Sequence, residues 1–148
     1  MNCFSSFKNG KEKKMTEYMN ETKTVLIFFH DNSEIDNLSD ILFSDGYRII
    51  RAGNVLELME ALERYHIHLV ISEDDFPEIS TSTFLPYLRK RYPDLKVIVI
   101  MKNYSSTKEL NLRTFKITYC MTWPVNENLL KSVVEKVIAV DNYNMAVV

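Results

Sequence analysis

The stretch HLVISEDDFPEIS (residues 68–80) decides how the rest of the chain is read. Leu69, Val70 and Ile71 run almost directly into three carboxylates, Glu73, Asp74 and Asp75, and then into Phe76-Pro77. A short apolar run without polar alternation is the mark of a strand covered on both faces. Such strands belong to parallel α/β sheets, whose working sites lie at the carboxyl ends of the strands. Acids at that point hold a cation or do chemistry. Here they read as the remnant of such a site, one whose other parts are missing.

Working outward, the same unit recurs. KTVLIFF (23–29) is a continuous apolar run, and the segment after it carries Ile35, Leu38, Ile41 and Leu42 at helical spacing. Ser33 is placed to cap that helix and Gly46 to end it. YRIIRA (47–52) is a second strand. It is followed by a helix with Asn54 and Glu57 spaced as a capping box and a stripe of Val55, Leu58, Met59 and Leu62. After the third strand comes STFLPYLRKRY (82–92), where Pro86 predicts regular helix only from near Leu85. KVIVIM (96–101) is a fourth strand, and Ser106 with Glu109 opens a weaker fourth helix. TYCMT (118–122) is a short fifth strand, and a last helix presents Leu130, Val133, Val134 and Val137. Five strand–helix units predict a doubly wound α/β domain: a five-stranded parallel sheet, flavodoxin-like, with helices on both faces.

The bulk properties narrow the function classes. The 148 residues, 46% hydrophobic, suffice for one packed core, and a net charge of −2 gives no polyanion-binding or membrane signal. Cys3 and Cys120 match no metal spacing or disulfide framework, so a reducing cytoplasm is the simplest setting. The three glycines, Gly10, Gly46 and Gly53, form no phosphate-binding loop. No Ser-His-Asp or Cys-His arrangement is suggested, so an enzyme is not expected. Residues 1–22 are polar and lysine-rich and read as a flexible arm, with Met15 an alternative start; residues 141–148 read as a tail, leaving 23–140 as the domain.

The blocks VLIFFHDNSEI, SDGYRIIRAGN, HLVISEDDFP, RYPDLKVIVIMK and MTWPVNENLL resemble the successive blocks of a response-regulator receiver domain, the CheY-like family of two-component phosphorelay signalling. Glu73 and Pro77 are spaced as the family's phospho-acceptor Asp and its Pro; Met101 and Trp123 are spaced as its switch Thr and its Lys. What the resemblance implies is a degenerate site. The acidic pair that would hold a divalent cation reads His30-Asp31. Mg2+ demands octahedral oxygen ligation, so the imidazole weakens it. Glu73 carries its carboxylate one C–C bond, roughly 1.5 Å, farther out than the family's Asp. Positional errors of about 1 Å can cost about a hundredfold in transfer. Trp123 stands for the phosphate-neutralising Lys, Met101 for the switch hydroxyl and Cys120 for the rotating aromatic.

The resemblance therefore implies an atypical, pseudo-receiver type of domain. It is not expected to be phosphorylated by the usual Asp mechanism, and acts through protein–protein binding on the face of the fourth helix, fifth strand and fifth helix, with a homodimer a further expectation. Weak Mg2+ binding at Asp31 and Glu73 is the most that is expected of a metal; His30 with those two acids is a weaker transition-metal alternative. Glu73 reads either as a permanent mimic of the activated state or as a leftover charge, and Trp123 either as a cover for the old pocket or as a binding contact. Asp74 or Asp75 as a substitute acceptor would break the step to Pro77 and turn the strand over. His66 and His68 read as loop and strand-start residues. The Trp123–Pro124 bond is expected to be cis, as the matching bond is in the family. The alternative functions are a working phospho-accepting receiver and a nucleic-acid-binding accessory using Lys8, Lys11, Lys13 and Lys14, which supply little phosphate neutralisation.

Overall fold

A computed structural model of the chain describes residues 22–147, with side chains described as far as residue 139. The basic arm, with Met15 and its lysines, lies outside the described residues apart from residue 22. The elements alternate strictly: β1 (Thr24–Phe28), α1 (Asn32–Phe43), β2 (Arg48–Ala52), α2 (Val55–Arg64), β3 (Leu69–Glu73), α3 (Thr81–Arg91), β4 (Lys96–Met101), α4 (Ser106–Arg113), β5 (Tyr119–Thr122) and α5 (Glu127–Val147). All strand pairs are parallel, in the order β2-β1-β3-β4-β5. The order reverses between β1 and β3, so the ends of these neighbouring strands form the crevice of the sheet. The last helix continues beyond the boundary at residue 140 expected from the sequence.

The continuous apolar strands are explained by their two faces. Side chains alternate across a strand. Val25, Ile27 and Phe29 join Leu69, Ile71, Ile98 and Ile100 beneath α1 and α5. Leu26, Phe28, Val70, Val97, Val99 and Met101 pack on the other side against α2, α3 and α4. Every residue of β1 and of β3 is buried. Each fully buried Leu, Ile or Phe contributes about 1.5–3 kcal/mol, so the central strands carry the core.

Local signals account for the helix ends, with three corrections. α1 is capped by Asp31, not Ser33: Asp31 is extended, and its carboxylate accepts from the Ser33 and Glu34 backbone N–H groups. α4 is capped by Ser105, one residue ahead of the expected Ser106, and its Oγ accepts from Lys108 N. Glu109 is thereby released to pair with Arg113 one turn on and to accept from the Tyr104 hydroxyl. α3 begins at Thr81, not near Leu85. Pro86 lies inside it and removes one N–H, but the carbonyl deprived of that bond belongs to Ser82, which is exposed and can be served by water. The Asn54 cap holds as expected, although Glu57 reaches back to the N–H of Gly53. Gly46 ends the turn after α1 at φ 91°, a conformation in which a side chain would be strained.

Arg89 on α3 ties down the turn between α4 and β5. Its guanidinium donates to the carbonyls of Leu95 (2.5 Å), Lys116 (3.0 Å) and Phe115 (3.2 Å). Burial lowers the pKa of this half-buried group, against the opposing charge of Asp94. Arg89→Met would leave three carbonyls without their donor. Urea unfolding should show a loss of about 2–3 kcal/mol, with only part recovered by Arg89→Lys, whose ammonium cannot span all three acceptors.

Candidate functional site

The crevice is assembled from the ends of β1, β3 and β4 and the first turn of α1. Strand parity decides which side chains enter it. Glu73 follows Leu69 and Ile71 onto the α1–α5 face, whereas Asp74 follows Val70 and Ser72 onto the α3–α4 face. Both carboxyl groups are buried, each residue only 3% exposed. A buried carboxylate demands a partner, and each has its own lysine.

Glu73 accepts through Oε1 from the His30 backbone N–H in a short hydrogen bond, and its Oε2 lies 3.4 Å from Lys102 Nζ. Lys102 is the residue after β4. The same ammonium is 2.5 Å from Glu34 Oε1 on α1 and 5.9 Å from the centre of the Phe29 ring. Burial acts to lower the Lys102 pKa, but the bonds and charges of Glu34 and Glu73 outweigh it, so the pKa is raised and the ammonium is kept. Asp74 and the exposed Asp75 share Lys108 of α4, whose Nζ is 2.9 Å from an oxygen of each. Those two bonds also raise the Lys108 pKa. Asp74 additionally accepts from Lys102 N at 3.4 Å. Glu73 and Asp74 therefore pair with separate ammonium groups, and Asp74 does not share the Glu73 side of the sheet.

The other positions singled out from the sequence divide between the two faces. His30 and Asp31 both lie exposed at the end of β1. His30 contributes its backbone N–H to Glu73, while its ring lies 6.4 Å from that of Phe76. One oxygen of Asp31 takes Ser33 N (2.8 Å), Ser33 Oγ (2.6 Å) and Glu34 N (3.1 Å). Met101 is fully buried on the α3–α4 face, away from Glu73. Cys120 is half-buried against that same cluster, and burial followed by the charge of Glu109 raises its thiol pKa. Trp123 is half-buried, packed over Phe29 at 6.0 Å between ring centres, and its backbone N–H donates to Met101 O at 2.8 Å. The Trp123–Pro124 bond is cis. His66 and His68 sit at the opposite end of β3, where His68 Nδ1 accepts from Thr24 N.

The divalent cation that the fold family implies does not fit these residues. The acid expected beside Asp31 is an imidazole, Asp31 serves the start of α1, and an ammonium already stands between Glu34 and Glu73. Among the described residues no group of three or more His, Cys, Asp or Glu side chains is arranged to hold a metal ion. Nor is any helix there long and apolar enough to cross a membrane. Lys102, Lys108 and Glu34 were not legible as site residues. The only signal was position: Lys102 directly follows a strand, and Glu34 lies in the first turn of a helix that starts at the crevice.

Comparison with known proteins agrees with the geometry at the level of the fold. No family model matches the chain, and no curated protein matches it. Solved structures do. A CheY-like response regulator receiver domain protein from Methanospirillum hungatei JF-1 superposes with a TM-score of 0.78 at 19% identity, over 84% of this chain and 99% of that one. A response regulator from Thermotoga maritima gives 0.74 at 24% identity, over 80% and 98%. The signal receiver domain of a putative Luxo repressor protein from Vibrio parahaemolyticus gives 0.79 at 18%, over 85% and 97%. The chain has the CheY-like receiver fold.

The Asp31 cap makes a pH prediction. Hydrogen bonds from Ser33 and from the Glu34 backbone hold its pKa below the ordinary aspartate value. A carboxyl group whose pKa is depressed by folding stabilises the fold above its unfolded pKa, and that contribution is lost as pH falls through the folded pKa. Asn caps as well as Asp but does not titrate. The stability difference between wild type and Asp31→Asn, measured by urea unfolding, should therefore favour wild type near neutrality and shrink below the ordinary aspartate pKa.

Proposed function

We propose that this chain is a receiver-type signalling domain of the pseudo-receiver kind, which does not accept a phosphoryl group by the usual Asp mechanism and signals by binding a protein. The observation that carries this reading is the state of Glu73. Both of its oxygens are engaged by the chain's own donors, His30 N and Lys102 Nζ. An acceptor must present a free oxygen in line with the donor phosphate, and this one is already occupied. The relay positions support the same reading: Met101 and Trp123 supply no hydroxyl and no ammonium, and Met101 is packed into the opposite core.

The face of α4, β5 and α5 is the proposed contact surface. Tyr104, Leu110 and Tyr119 stand exposed there, the aromatic and aliphatic types that anchor interfaces. Lys108 links this face to the crevice through Asp74 and Asp75. A protein partner, or a second copy, would bind there in a cytoplasmic setting.

One observation favours a second reading, a phospho-accepting receiver. Lys102 places a cation 3.4 Å from the acceptor position, where it would neutralise a phosphoryl charge in place of the lysine that Trp123 replaces. Incubation with acetyl phosphate and Mg2+, followed by intact mass measurement, separates the two. The unmodified mass is expected. A stoichiometric phosphoryl adduct would establish the second reading instead.

A further inference from the structure

We infer that Lys102 is the resident cation of the crevice: its ammonium, held between Glu34 and Glu73, balances the buried charge that a divalent cation would otherwise balance, and so makes the crevice unresponsive to such ions. The inference deepens the reading above and takes from it only the identity of the crevice.

Three features of the geometry converge. The first is reach. Lys102 continues the alternation of Ile98 and Ile100, so it emerges on the Glu73 side of the sheet while Met101 turns away. Its Nζ then meets one carboxylate from α1 and one from β3, at 2.5 and 3.4 Å. The second is burial. Glu73 is 3% exposed, so its charge must be matched locally, and among the described residues Lys102 Nζ is the cation within ion-pair distance of it. The third is tethering. The ammonium is covalently part of the chain, and it lies 5.9 Å from the centre of the Phe29 ring, which also packs against Trp123. A tethered cation has a high effective concentration, and a divalent ion entering beside it would meet its full repulsion.

Two unit charges about 4 Å apart repel by about 1 kcal/mol even in water and by more near a protein surface. A divalent ion doubles that, so removing the ammonium should tighten cation binding by roughly tenfold or more. The test titrates the full chain with Mn2+ and reads the free ion by electron paramagnetic resonance, with quenching of Trp123, the sole tryptophan, as a second readout. Wild type and Lys102→Arg should bind weakly, and Lys102→Met tighter by that factor. The double variant Lys102→Met/Glu73→Gln, which removes both charges, should return to weak binding. The inference is overturned if folded Lys102→Met binds no tighter than wild type, if Lys102→Arg binds as tightly as Lys102→Met, or if the double variant keeps the tight site. Should Lys102→Met fail to fold because Glu73 is left unpaired, the double variant should fold; its failure too would overturn the inference. The titration reports on Lys102 whether or not acetyl phosphate yields an adduct, so the two proposals can fail separately.

Discussion

A carboxylate buried at the switch point of a parallel sheet must be neutralised where it stands, and the upper half of this domain is arranged around that demand. Glu73 ends the central strand β3, walled in by β1, β4 and α1. Desolvating such a charge without a partner costs far more than any one contact in the crevice returns. Lys102 and the His30 N–H meet the requirement together. In doing so they join three elements, β1, β3 and β4, and through Glu34 they add α1. Asp74 repeats the solution on the other face of the sheet with Lys108, which joins β3 to α4. Two adjacent acids on one strand thus organise opposite sides of the molecule, because successive side chains point in opposite directions.

Under the proposed function, this arrangement bears on signalling. In a fold whose crevice exchanges ions and a phosphoryl group, charge balance is supplied from outside and can change. Here lysines of the chain itself supply it, Lys102 beside Glu73 and Lys108 beside Asp74. On the other face, Lys108 bridges α4 to Asp74 and Asp75. Under the proposed reading, the exposed Tyr104, Leu110 and Tyr119 would serve constant recognition of a partner, whereas a regulated surface requires two states that a ligand can bias. Trp123 is half-buried and packs over Phe29, the ring that the Lys102 ammonium also approaches.

Much of this was legible before any coordinates. Unbroken apolar runs such as 23–29 and 96–101 identified buried parallel strands, and the spacing of Leu58 with Leu62, or of Leu130 with Val134, identified the helices packed on them. The caps were legible only approximately. Asp31, Asn32 and Ser33 are all good capping residues, and so are Ser105 and Ser106; which one adopts the extended conformation is settled by where the preceding strand releases the chain. The helix runs through Pro86 because Ser82, whose carbonyl loses its bond, is exposed to water.

The sequence by itself determined the succession of strands and helices, the acids at the end of β3, and the residue types, Met, Cys and Trp, at positions 101, 120 and 123. It could do so because periodicity and residue chemistry are local properties. Only the tertiary structure decided which charges meet. Glu34, Glu73 and Lys102 are far apart along the chain, and nothing local couples them. They come together because parallel strands in register bring their ends to one edge, and because side-chain alternation sends residue 102, and not 101, to the side on which Glu73 is buried.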